Sequence, residues 1–160
     1  RQPTAGDLRM VTMAIKTITD LERIGDEAQR IAITARNLAQ KKSLTLPRFD
    51  KIKYAAGLTL NMLRQSLDAF ANLDISAVAQ IVREDELVDE EFRAVMRYLV
   101  TFMMEDPRTI SNALEILFVA KAIERIGDHA KNMSEYVVFM VKGRDVRHVT
   151  ADEIEHEVRQ

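Results

Sequence analysis

The sequence predicts an all-α protein built from long helices, and three observations carry that reading. Apolar residues recur at three- and four-residue spacing over long stretches, which is the period of a helix with one buried face. Only five Gly and three Pro punctuate the 160 residues. The segment Glu-Arg-Ile-Gly-Asp occurs at Glu22 to Asp26 and again at Glu124 to Asp128, so the chain reads as two copies of one helical unit.

Four long helices follow in order. The first is expected from about Ala5 to Lys41, with Leu8, Val11, Ile15, Ile18, Ala28, Ala32 and Ala35 on a core-facing stripe. The polar run Gln40-Lys41-Lys42-Ser43 ends it, where cations also suit a helix C-terminus. The second begins near Pro47, a residue tolerated in a first turn, and runs to about Asn72 with Ile52, Leu60, Leu63, Leu67 and Phe70 inward. A tight turn at Asn72 to Asp74 leads to the third, about Ile75 to Glu105, which carries Val78, Ile81, Val82, Phe92, Val95, Met96, Leu99 and Phe102. Asp106 reads as an N-cap with Pro107 at the first helical position, which starts a fourth helix ending near Lys142, with Gly143 as its stop. Beyond it the mostly charged tail holds one capping pattern, Thr150-Ala-Asp-Glu, that can start a short helix, and no core role is expected of it.

Composition narrows the function classes. With 47% hydrophobic residues the chain can bury a full core. Lys and Arg total 23 against 25 Asp and Glu, and no segment concentrates basic residues, which argues against direct nucleic-acid binding. The absence of Cys excludes disulfides, thiolate metal sites and cysteine nucleophiles, and a cytosolic location is the simplest expectation. No apolar run approaches the roughly 20 residues that cross a bilayer. The N-terminus, Arg-Gln-Pro-Thr-Ala-Gly-Asp, lacks an initiator Met and an apolar signal region, so the chain reads as a fragment.

The repeat defines the organisation. Asp20-Leu-Glu-Arg-Ile-Gly-Asp-Glu-Ala matches Ala122-Ile-Glu-Arg-Ile-Gly-Asp-His-Ala at an offset of 102 residues, and both copies lie in long helices that open after Pro3 and Pro107. Residues 1–43 are then the last helix of a first unit, residues 44–143 a second unit of three helices, and residues 144–160 a charged tail.

The repeated motif places carboxylates one turn apart on one helix face: Glu22 with Asp26, and Glu124 with Asp128. Such pairs repel, and desolvation beside an apolar stripe adds to the penalty, so a cation should compensate. The third helix offers Asp85 and Asp89, also four apart. It should run antiparallel to the fourth. Counting from the turn near Asp106, Asp89 lies 17 residues before and Glu124 18 after, while Asp85 and Asp128 lie 21 and 22 away. Four carboxylates can therefore meet at one level, and an all-oxygen cluster suits hard cations. Gly25 and Gly127 mark points of close backbone approach. The competing reading gives these acids ion pairs with Arg23, Arg93 or Arg125. His129 reads as a ligand or, more simply, as a surface residue, and Glu153 with His156 is a chance Glu-x-x-His. No phosphate-binding loop, Ser/His/Asp grouping or general acid or base stands out.

Arg1-Gln-Pro-Thr-Ala-Gly-Asp-Leu-Arg9, the two Glu-Arg-Ile-Gly-Asp segments, Asp85-Glu-Leu-Val-Asp89 and Gly143-Arg-Asp-Val-Arg-His148 together resemble the PhoU family over nearly the whole chain. The resemblance implies a tandem three-helix-bundle repeat, with the first bundle represented here only by its last helix. It implies metal ligation at Asp85, Asp89, Glu124 and Asp128, and at Glu22 and Asp26, by a divalent or trivalent hard metal (Mg, Mn, Fe or Zn). It further implies a cytoplasmic, membrane-peripheral, homodimeric adapter rather than an enzyme, coupling the ATPase of a phosphate ABC transporter to a phosphate-sensing histidine kinase and damping both uptake and the starvation response. A metal-free helical scaffold and a metal-dependent hydrolase or oxidase are the alternatives.

Overall fold

The computed structural model describes residues 2, 4–41 and 47–159. Pro3, Lys42, Ser43 and the expected boundary between residues 43 and 44 lie outside them. The described residues form five α-helices and no strand: α1 (Ala5–Ala39), α2 (Asp50–Asn72), α3 (Val78–Glu105), α4 (Ile110–Lys142) and α5 (Ala151–Arg159), with a 3₁₀ turn at Pro107–Thr109 leading into α4. None of these helices is long and apolar enough to cross a membrane.

The ends follow local chemistry. Thr4 and Asp7 form a reciprocal capping box at the start of α1. Asp106 accepts from the Arg108 N–H and opens the 3₁₀ turn at Pro107. Gly143 ends α4 at φ 69°, a left-handed conformation that Gly adopts without penalty.

Side-chain contacts fix the directions. Thr59 donates to the Ile123 carbonyl and Ser66 to the Ala130 carbonyl, so α2 runs parallel to α4. Asn61 reaches Glu84 and Lys51 reaches Glu91, so α2 and α3 are antiparallel. Along α1 the partners on α4 descend: Arg9 lies beside Gly143, Lys16 over Tyr136, Asp20 against His129, Glu27 against Arg125 and Lys41 against Asn112. That antiparallel register brings Gly25 level with Gly127, so the two motif copies sit at one height across the α1–α4 seam.

The buried faces differ from several expectations. On α1 the buried residues are Met13, Thr17, Asp20, Ile24, Glu27 and Leu38, whereas Leu8, Val11, Ile15, Ile18, Ala28, Ala32 and Ala35 are all exposed. The 102-residue offset gives the reason. Ile18, Ala28, Ala32 and Ala35 correspond to Ala120, Ala130, Ser134 and Val137, which are buried in α4. The sequence pattern located the face that α4 turns toward α2 and α3, and among the described residues no helix pair covers its counterpart on α1.

On α2, Leu60 and Leu67 are exposed, and the buried stripe is Ile52, Ala55, Thr59, Met62, Ser66 and Ala69. Small and hydroxyl side chains allow α2 to approach α4 closely, and the carbonyls of α4 satisfy the hydroxyls. Met96 on α3 is likewise exposed. The tail does enter the core: α5, capped by Thr150 and Glu153, buries Ile154 completely with Val146 and Ala151 against Val78, Val82, Val137 and Val138. Arg83 pins α5 to α3 through Asp152 and Glu155.

Candidate metal centre

Asp89 on α3 and Glu124 and Asp128 on α4 converge midway along the bundle. Each offers a carboxylate oxygen, and the three oxygens lie within 4.8 Å of one another. Antiparallel packing produces this level match, because Glu124 and Asp128 are one turn apart and Asp89 faces both from the neighbouring helix. Cationic neighbours offset only part of the charge. Arg93 Nη2 stands 4.0 Å from Asp89, and Lys121 Nζ forms an ion pair with Glu124 Oε2 at 2.5 Å. Burial, and then the charges of Glu124 and Asp85, push the Asp128 carboxyl up to about 6. An oxygen-only donor set drawn from two helices fits a hard cation. Asp89, Glu124 and Asp128 would hold it, and the ion would supply the positive charge that these carboxylates lack.

Asp85 sits one turn from Asp89 but is paired with a lysine and does not join the group of three. Lys131 Nζ donates to its Oδ2 at 2.5 Å, and its Oδ1 is buried without a partner. Burial raises the Asp85 carboxyl above its usual range against the pull of Lys131. The lysine itself loses by burial, yet the Asp85 hydrogen bond and the charges of Asp85, Glu135 and Asp128 leave it raised. Glu22 and Asp26 lie on the exposed face of α1, and among the described residues they join no group of three potential ligands.

Several polar partners have no signal in the sequence. His129 turns from the cluster toward α1, where its Nδ1 is 2.6 Å from Asp20 Oδ1. Glu84, buried beside Asp85, receives the Asn61 amide on both oxygens and Gln80 on one. Arg125, weighed against the motif acids, pairs instead with Glu27 across the seam at 3.4 Å. Gly127 lies where an added Cβ would meet Asp85, Met62 and Thr59 at 3.7 Å, an ordinary contact distance, while Gly25 faces open space, so the expected close approach at Gly25 is absent.

Fold and site together define a duplicated, antiparallel helical bundle with acidic pairs on its repeated helices. The chain belongs to the PhoU family: the family model for the PhoU domain matches residues 1–35 and 52–137. It is 46% identical over 158 residues to a phosphate-specific transport system accessory protein PhoU homolog of Burkholderia, and 46% identical over 155 residues to the accessory protein PhoU of Escherichia coli K12. These matches cover 98% and 97% of this chain and 67% and 64% of the relatives, so the chain spans about two thirds of their length. The crystal structure of PhoU from Pseudomonas aeruginosa superposes with a TM-score of 0.85 at 41% identity, over 90% of this chain and 68% of that one. A phosphate transport system regulatory protein PhoU from Streptococcus pneumoniae gives 0.80 at 29% identity, over 90% and 67%.

Proposed function

We propose that this chain acts in the regulation of phosphate uptake and of the phosphate-starvation response, as a non-enzymatic adapter between the ATPase of a phosphate ABC transporter and a phosphate-sensing histidine kinase. The reading takes its biological role from relatives named as accessory proteins of phosphate-specific transport. In it the adapter is a cytoplasmic homodimer that meets the membrane through its partners. A hard metal ion held by Asp89, Glu124 and Asp128 offsets their mutual repulsion and ties α3 to α4. The observation that carries the metal part is the convergence of three carboxylate oxygens from two helices within 4.8 Å.

The test has two arms. Pull-down with a purified transporter ATPase and with the kinase examines the adapter role, and loss of both interactions at physiological salt would remove it. Metal content by mass spectrometry, with thermal melts in chelator, examines the site: the wild type should carry stoichiometric metal and Glu124→Ala/Asp128→Ala should not. A metal-free wild type with melts indifferent to chelator would favour a helical scaffold whose acids rest on Lys121 and Arg93, a reading supported by the contacts of both cations with the cluster.

A further inference from the structure

Asp85 lies on the cluster face of α3, one turn from Asp89, yet a lysine holds it. Lys131 follows Asp128 by three residues on α4, so its stem rises beside the acidic cluster and its ammonium meets Asp85 Oδ2 at 2.5 Å. Both side chains are withdrawn from solvent, Asp85 almost completely. The second oxygen of Asp85 is buried with no hydrogen-bond donor, an unfavourable state for a carboxylate. Gly127 leaves no side chain between that oxygen and the backbone of α4. The position equivalent to Lys131 in the first motif copy is Gln29, so the lysine does not belong to the repeated Glu-Arg-Ile-Gly-Asp pattern.

We propose that Lys131 is a tethered cation that occupies Asp85 and withholds it from the metal site, so that the cluster takes a hard divalent ion through three carboxylates instead of four. The inference rests on the metal-binding reading above. An ammonium is a compact, strongly hydrated point charge with three donors, and here it supplies Asp85 with the counter-charge a metal would bring. Being part of the chain, it also competes at a fixed, high effective concentration. A free ion that recruited Asp85 would have to displace the lysine and would leave a second positive charge beside itself. Lys131 therefore sets both ligand number and affinity.

The test is titration of metal-stripped protein with Mn²⁺, read by electron paramagnetic resonance of the free ion, on the wild type, Lys131→Met, Lys131→Arg, Asp85→Asn and Lys131→Met/Asp85→Asn. Far-UV circular dichroism checks each fold, and Lys131→Gln carries the same expectation should the Met variant not fold. Removing one nearby cation and freeing one carboxylate should tighten Mn²⁺ binding by roughly tenfold or more in Lys131→Met. Asp85→Asn should leave the wild-type affinity within about twofold, yet erase the gain in the Lys131→Met background, and Lys131→Arg should behave as wild type because the charge is kept. Binding by Lys131→Met alone would overturn the three-carboxylate site, since the wild type is expected to bind the ion through Asp89, Glu124 and Asp128. The inference is overturned if Lys131→Met binds no more tightly than the wild type, or if Asp85→Asn weakens both backgrounds equally, which would make Asp85 a ligand already. Absence of Mn²⁺ binding by every variant would remove the metal reading itself, and this inference with it.

Discussion

Glu135 is a carboxyl that the folded chain would hold more readily as an acid, and replacing it by Gln should stabilise the protein at alkaline pH. It is buried on α4, one turn beyond Lys131. Burial chiefly, with the charges of Asp85 and Asp145, pushes it from an ordinary 4.5 up to about 7, against the opposing pull of Lys131 and Arg147. A raised carboxyl binds its proton more tightly in the folded state, so its contribution to stability is greatest below pH 4.5 and is lost as pH rises through 7. A shift from 4.5 to about 7 corresponds to about 3 kcal/mol at pH 8. Glu135→Gln keeps the shape of the neutral acid and removes that penalty, which is already net of the attraction to Lys131, for a gain of about 2–3 kcal/mol. At this size each kcal/mol moves the midpoint by roughly 2–4 °C, so thermal melts in chelator should rise by about 4–12 °C at pH 8 and change little at pH 4.5. A variant whose effect is flat between those pH values, or which is less stable at pH 8, would refute the assignment.

Three further outcomes follow from named contacts. Gly143→Ala should cost about 1–2 kcal/mol in urea denaturation, because φ is 69° there and a Cβ would stand 2.9 Å from Arg9 Nη1. Gly25→Ala, with nothing near its new methyl, should gain about 1 kcal/mol from helix propensity, and a loss would mean that something covers that face. Ile154→Ala should destabilise by about 2–4 kcal/mol in the same assay, since the side chain is fully buried beneath α5; a change under about 0.5 kcal/mol would return the tail to the surface role its charge implies.

The helix ends were the most legible part of the fold, because Asp106 with Pro107, Thr150 with Glu153 and Gly143 each act through local backbone chemistry. Faces were harder. On α2 four of the six buried residues, Ala55, Thr59, Ser66 and Ala69, are small or hydroxyl, so counting apolar bulk selects Leu60 and Leu67, which face solvent. On α1 the pattern reports the needs of the repeated unit, whereas the contact actually made with α4 uses Thr17, Asp20 and Glu27. The tail misled because Val146, Ala151 and Ile154 are spaced among many charges. For the site, counting outward from the turn at Asp106 was enough to bring Asp89 level with Glu124 and Asp128, because height depends only on the rise per residue. The capture of Asp85 by Lys131 depends on how far α4 is rotated about its axis, and spacing alone does not fix rotation. The Asp20–His129 pair, 109 residues apart, depends on which face of α1 meets α4.

The seam between α1 and α4 also bears on the order in which the molecule comes apart. α2, α3 and α4 pack on one another along their lengths, while α1, among the described residues, packs mainly on α4, with Leu38 in the apolar cluster that holds Ile52 and Ala55, and half of its buried residues are polar. Its attachment combines Met13, Ile24 and Leu38 with the ion pairs Glu27–Arg125 and Lys41–Glu115, and the ion pairs weaken with ionic strength. Amide exchange along α1 should therefore report a partial opening of lower free energy than the global transition that governs α4. Added salt should lower the first threshold more than the second, and that difference would mark α1 as a separate cooperative unit within one continuous chain.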